Sequence, residues 1–185
     1  MPTLTFRTNS WKKSERPEIE PKRPTPARRF AHCRILGIDP GLSATGYGIL
    51  DERGRILAEG VITTSPAEPL AARLLLLNQR VSQLVKKYKP ECCAIETLFF
   101  KGGGARSVIL SAQSRGAILT ALAKNHIPVI ELTPATIKLA VTGSGRASKR
   151  QLNYMIGKLL GTDGRLAEHA ADALAVAWCL KSRSR

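Results

Sequence analysis

From Arg34 onward the chain alternates short apolar runs with longer stretches of helical periodicity, a pattern absent before that residue. Residues 34–39 form an apolar run that fits a buried strand, and Pro40 and Gly41 supply the turn that ends it. Two further strand-like runs, near Ala44–Leu50 and over 55–63, flank the turn-prone stretch 51–54, which predicts an antiparallel meander. Leu70, Leu74, Leu77, Val81, Leu84, Val85 and Tyr88 then recur at three- and four-residue intervals, the spacing of one helical face. Cys92–Glu96 reads as a fourth strand and Val129–Leu132 as a fifth, with a helix over 105–125 between them. Thr133 before Pro134 offers an N-cap followed by proline at the first helical position. Ser148 with Gln151 three residues on has the form of a capping box. A final alanine-rich helix is expected near 165–181. Three strands in a meander, then strand, helix, strand and terminal helices, predict an α/β domain built on a five-stranded mixed sheet flanked by helices.

Residues 1–33 mix Pro, Lys, Arg and Glu with no apolar periodicity, so they bury too little surface to offset chain entropy and are expected to form a disordered basic tail. An organelle-targeting peptide fits them less well, since Glu15, Glu18 and Glu20 are unusual in such segments. Residues 182–185 are read as a disordered end, which leaves one domain over 34–181. The formal charge of +15 is uneven: through Arg34 the chain carries nine Lys or Arg against three Glu, so +9 belongs to the remainder. A basic body, as distinct from a basic tail, favours a polyanionic partner, either nucleic acid or an anionic membrane surface. No apolar run approaches the roughly 18 residues of a membrane span, and the start lacks the apolar core of a secretory signal; a soluble, intracellular protein is expected. Cys33, Cys92, Cys93 and Cys179 lack ligand-like spacing and read as reduced, structural residues.

The candidate chemistry lies at element ends. Asp39 closes the first strand and Glu96 the fourth, and in open α/β sheets such strand ends line the site. Asp172 lies in the last helix with His169 three residues before it, so both project from one helical face. Ala170, Ala171, Ala173 and Ala175 are small enough to let that helix approach a sheet closely. If it crosses the mouth of strands one and four, three carboxylates and an imidazole converge. Carboxylates brought together repel, and divalent cations keep them ionised; two such ions would stabilise the attacking and the leaving oxygen of phosphodiester hydrolysis. Taken singly, each residue also has a plain reading, as a turn residue, a strand end in solvent, an exposed helical carboxylate or an ordinary polar histidine.

Two further features suit DNA. Phe99 and Phe100 follow Glu96 and precede a glycine run, where an aromatic can stack on an unpaired base; packing into the core is the other reading, more so for Phe100. Lys149 and Arg150 stand in the first turn after Ser148, where the positive end of the helix dipole disfavours cations, a misfit that a bound phosphate would resolve. A solvated basic turn is the alternative. The 143–145 stretch lacks the Lys-Ser or Lys-Thr ending of a nucleotide-binding loop and reads only as a turn.

Gly37, Ile38, Asp39, Pro40 and Gly41, then Thr45, Gly46, Tyr47 and Gly48, then Ala94, Ile95 and Glu96, and finally His169 through Ala175 occur in an order and wording that resembles the RuvC family of crossover junction endonucleases, from Arg34 to about Lys181. The resemblance implies a ribonuclease H-like fold and a homodimer. It also implies symmetric nicking of two like-polarity strands at a four-way DNA junction with two magnesium ions per site, manganese also serving. It implies a bacterial, cytoplasmic protein working downstream of the RuvA–RuvB branch-migration complex, with no membrane partner. By motif, Asp39, Glu96 and Asp172 match the metal-binding carboxylates, and His169 stands where members have Asp or His. Phe99 matches an aromatic implicated in disrupting pairing at the crossover, and Lys138 is a phosphate candidate by the same match. The helix holding Val108, Ile109, Ala112, Gly116, Leu119 and Ala123 resembles the family's dimerising helix, although periodicity alone fits an internal core helix nearly as well. A nuclease for structured RNA, a sugar-kinase-like phosphotransferase and a non-catalytic DNA-binding module are the competing classes. The second needs far more chain, and four intact site residues argue against the third.

Overall fold

Five strands form one sheet in the order β3-β2-β1-β4-β5, with β1 (Ile35–Asp39) at its centre. The computed structural model describes residues 30, 32–98, 104–162 and 166–183. β2 (Ala44–Leu50) and β3 (Ile56–Thr63) continue antiparallel from β1, whereas β4 (Cys92–Glu96) and β5 (Val129–Leu132) run parallel to it. Both β1 and β4 are buried on each face, which is why they read as continuous apolar runs and not as alternating ones. On one face Leu36, Ile38, Cys93 and Ile95 meet Leu77, Val81 and Val85 of α1 (Leu70–Tyr88) and Ile118, Ala121 and Leu122 of α2 (Ala105–Lys124). On the other, Ile35, Leu50, Cys92 and Ala94 meet α3 (Pro134–Thr142), α4 (Lys149–Leu160) and α5 (Glu168–Ser182).

The local signals for α3 and α4 act as expected. The Thr133 side chain accepts from the Thr136 backbone N–H with Pro134 at the helix start, and Ser148 and Gln151 form a reciprocal capping box. α5 differs. It begins at Glu168, because Ala167 is the N-cap and offers no side-chain acceptor, and it runs through Ser182. Arg165 lies outside the described residues. The packed unit is also wider than 34–181. Phe30 and Cys33 join the α5-side core, and buried Lys181 donates from Nζ to the Cys33 carbonyl at 3.2 Å. Ser182, expected outside the domain, bonds from Oγ to the Cys179 carbonyl. The four cysteines are free thiols, and burial pushes Cys92 up to about 12 and Cys179 up to about 11, which keeps both protonated and inert. Among the described residues no helix is long and apolar enough to cross a membrane.

α5 lies unusually close to the sheet, and glycines on the strands allow it. A Cβ on Gly37 would stand 2.1 Å from the Ala173 carbonyl oxygen, and one on Gly46 would stand 1.9 Å from that of His169. The helix answers with alanine: Ala170, Ala171, Ala173, Ala175 and Ala177 are all buried. Small residues on both surfaces therefore set the separation, and the separation decides what the N-terminal turn of α5 can reach.

Candidate active site

Asp39 is the last residue of β1, and its register partner on β2 is Gly46. Because Gly46 lies under His169, docking of α5 carries His169 directly over Asp39. His169 Nδ1 stands 2.9 Å from Asp39 Oδ2, a hydrogen bond that orients both side chains. With the proton on Nδ1, Nε2 keeps the lone pair, the arrangement found where a carboxylate orients a metal-binding imidazole. Asp172 is one helical turn further on. Ligand-capable atoms of Asp39, His169 and Asp172 all lie within 4.8 Å of one another.

Glu96 occupies the neighbouring strand end. The parallel register pairs Ile38 with Ile95, so Glu96 lies beside Asp39 at roughly the 4.8 Å strand spacing. Alternation along the strands puts both on the α5 side, since Ile38 and Ile95 point to α1 and α2. It stands outside the tight group of three.

Lys149 shows the largest departure from expectation. Its Nζ lies 2.5 Å from Glu168 Oε1 and 3.0 Å from Asp172 Oδ2. Glu168 and Asp172 are four residues apart on α5 and share a face, so one ammonium spans both. The misfit of a cation in the first turn of α4 is met here by two carboxylates of α5. Partial burial disfavours the charge of Lys149, but the hydrogen bonds to Glu168 and Asp172 outweigh it and hold the group protonated beyond the usual lysine range. For Asp172 the balance runs the other way. Burial, aided by the charges of Asp39 and Glu168, leaves its carboxyl above the ordinary range despite Lys149. A bound divalent cation would reverse that, since its charge favours the ionised form. The donor set is two carboxylates and an imidazole with a third carboxylate alongside. Such a set fits hard, oxygen-preferring ions such as magnesium, and the imidazole nitrogen also suits manganese.

The DNA-contact candidates are distributed differently. Arg150 is exposed and Lys138 half-buried on α3, while Phe99 lies outside the described residues. Sequence reading missed an exposed row on α4 that continues from Arg150 through Tyr154 to Lys158, with Lys158 Nζ 5.9 Å from the Tyr154 ring centre. The four-residue spacing of the three was the available signal. Arg115 was also missed. It is buried, and nothing in its local pattern distinguishes it from an exposed helical arginine.

A profile of the family described as "Crossover junction endodeoxyribonuclease RuvC" matches residues 35–180. The protein of that name from Neisseria meningitidis serogroup C is 43% identical over 150 residues, covering 80% of this chain and 84% of the relative. That from Treponema pallidum strain Nichols is 44% identical over 147 residues, covering 77% and 74%. Among solved structures, Thermus thermophilus RuvC in complex with Holliday junction substrate superposes with a TM-score of 0.75 at 32% identity, covering 80% of this chain and 92% of that one. The yeast mitochondrial Holliday junction resolvase, at 14% identity and a TM-score of 0.58 over 85% and 86% of the chains, shares the fold alone. The sheet order, the docking of α5 on glycine-bearing strands and the carboxylates at the strand ends thus coincide with a profile spanning nearly all described residues, and the chain belongs to the RuvC family, with its ribonuclease H-like fold.

Proposed function

We propose that the chain is a metal-dependent endonuclease that resolves four-way DNA junctions in recombination and repair, hydrolysing phosphodiesters to nick two like-polarity strands symmetrically. The observation that carries this reading is the convergence of Asp39, His169 and Asp172 within 4.8 Å at the mouth of β1, in a chain of the RuvC family. Asp39, His169, Asp172 and Glu96 would hold two magnesium ions, manganese serving as a substitute. When bound, such ions stabilise both the attacking and the leaving oxygen of the displacement. The chain itself fixes the donors: Asp39 orients the His169 ring, α5 sets the spacing of His169 and Asp172, and Lys149 offsets the charge of Asp172 and Glu168. The unit responsible is the one expected over 34–181, widened by Phe30, Cys33 and Ser182. A homodimer is supported by α2, where Ile109, Ala112, Gly116 and Ala123 form an exposed row at helical spacing while Ser114, Arg115, Ile118 and Leu122 face inward. Phe99 as a base-stacking wedge, the bacterial cytoplasm and an upstream RuvA–RuvB complex belong to the same reading on family grounds. A synthetic four-way junction incubated with the full chain and magnesium should yield paired nicks on a denaturing gel. Cleavage of structured RNA with none of junction DNA would overturn the assignment.

His169 gives a sharper test, because only a ligand's replacement depends on whether the new side chain can coordinate. His169→Ala should lose most cleavage, on the order of 10²-fold, as expected for loss of a group that organises a metal site. His169→Asp should keep substantial activity with magnesium and show a smaller manganese advantage than the parent, since carboxylate oxygen suits the harder ion. Rates for the three proteins in each metal decide it, and an alanine variant that matches the parent removes His169 from the site.

Lys149 and Arg150 retain a role in binding phosphate, with a condition added by the structure. While its ammonium is held by Glu168 and Asp172, the charge of Lys149 is offset by two carboxylates and makes no separate phosphate contact. In EDTA, therefore, Lys149→Ala should leave the salt dependence of junction binding unchanged. On an uncleavable junction with magnesium present, the log–log slope should flatten by about 0.9, the equivalent of one phosphate contact. Equal slopes in both conditions would confine Lys149 to the carboxylates.

A further inference from the structure

Arg115 is a charged residue on a core helix, only 6% exposed, with its guanidinium brought to the end of β4. Nη1 donates to the backbone carbonyl of Glu96 at 2.5 Å. Nη2 lies 2.9 Å from Glu131 Oε2 on β5, too oblique for a hydrogen bond but close enough for an ion pair. Arginine stays protonated in proteins, so burying it is costly and the partners must be specific.

The sequence explains why the Glu96 carbonyl needs such a donor. Thr97 N–H bonds to Leu132 on β5, so the backbone groups of Glu96, one residue earlier, face β1. With Gly37 paired to Ala94 and Ile38 to Ile95, the next donor due on β1 for this carbonyl is residue 40. Residue 40 is proline, which has no N–H. The turn that ends β1 after Asp39 therefore removes the ladder donor to the Glu96 carbonyl, while the register leaves the Glu96 N–H facing Ile38, and a charge-assisted bond from α2 takes the missing donor's place.

We propose that Arg115 is the positioning residue for Glu96: by supplying the donor that Pro40 lacks, it fixes the backbone of β4 where that strand must deliver its carboxylate beside Asp39. It acts through Glu96 and touches no reacting atom. The proposal rests on Glu96 being a metal ligand, and it predicts that the two residues form one unit in metal binding.

The test is a titration of the full chain with manganese alone, in the absence of DNA, followed by calorimetry. Glu96→Gln and Arg115→Gln should each weaken manganese binding, the second by about tenfold, the upper range for loss of an outer partner being about 100-fold. The double variant should be no weaker than Glu96→Gln, because once the ligand is gone its positioning has nothing to act on. A merely structural arginine would instead add its loss to that of Glu96→Gln. Arg115→Lys, which keeps the charge and one donor nitrogen but loses the planar fork, should recover part of the affinity. Junction binding in EDTA should stay within twofold of the parent in every variant. If Arg115→Gln does not fold, Arg115→Lys and Glu131→Gln carry the test, Glu131 being half exposed. Parental manganese affinity in the folded Arg115 variants, with Glu96→Gln weakened, overturns the positioning role and leaves the metal site standing. Parental affinity in Glu96→Gln overturns Glu96 as a ligand and the proposal with it.

Discussion

Replacing Asp39 with Asn is expected to reduce junction cleavage by on the order of 10³-fold while leaving junction binding in EDTA within a few-fold of the parent. Asn keeps the shape of the side chain and removes its charge. Asp39 is the member of the site on which the others depend: it accepts from His169 at 2.9 Å and stands within 4.8 Å of both His169 and Asp172. Loss of its charge would weaken the proposed cation site and would leave the imidazole only a neutral amide oxygen as acceptor. Loss of an outer partner alone costs 10- to 100-fold in comparable metal sites, so loss of the central carboxylate should exceed that range. DNA affinity should survive, because that binding is carried by basic groups and the substitution removes a negative charge. Cleavage by the purified variant at the parental rate would sink the assignment of the site. The same measurement on Glu96→Gln and Asp172→Asn should give losses of the same direction, larger for Asp172, which belongs to the tight group of three.

The second large effect is expected at a residue that carries no side chain. Gly46→Ala places a methyl where the His169 carbonyl oxygen already stands, 1.9 Å from the ideal Cβ position, with the His169 carbonyl carbon at 2.4 Å. Both obstacles are backbone, so no side chain can turn aside and α5 must move away from β2. Overpacking of this kind costs typically 1 to 3 kcal/mol, and a backbone collision belongs at the upper end. For a domain of this size that corresponds to a fall in melting temperature of roughly 10 °C. Cleavage should fall further than stability explains. A displacement of about 1 Å at His169 and Asp172 is worth on the order of 10²-fold in rate. Gly48→Ala is the natural contrast, since the nearest obstacles there are Cδ2 and Cγ of the Leu174 side chain, at 2.6 Å, and the backbone comes no nearer than the Leu174 nitrogen at 3.1 Å. It should cost less stability and little activity. Equal losses for the two variants, by thermal unfolding and by cleavage at saturating magnesium, would show that α5 is not held at this distance by Gly46.

The sequence was most legible where a signal is carried by neighbouring residues. The strands Ala44–Leu50, Cys92–Glu96 and Val129–Leu132 and the first helix fall where short apolar runs and helical spacing place them, since both are direct imprints of which faces are buried. α3 and α4 start where Thr133, Pro134, Ser148 and Gln151 indicate, because a cap is a contact made within four residues. α5 was placed too early at its start for the same reason inverted: Ala167 caps without a side chain, so nothing local marks the boundary. Strand ends at Asp39 and Glu96, and His169 with Asp172 one turn apart, were readable as four groups that a single helix crossing would unite.

What the sequence by itself determined is therefore the elements, the strand-end carboxylates, the basic surface and the family. The tertiary structure decided how close α5 comes to the sheet, which rests on Gly37 and Gly46 facing Ala173 and His169 across more than 120 residues of chain. It decided that Lys149 turns to Asp172 and Glu168, that Ile109, Ala112 and Gly116 face outward on α2, and that Arg115 replaces the donor missing at Pro40. Each of these depends on a partner distant in sequence, and a local pattern records only that a position is polar, small or charged. The direction of a long flexible side chain is set by the charge it finds after folding, and the spacing of two surfaces by the smallest residue on each.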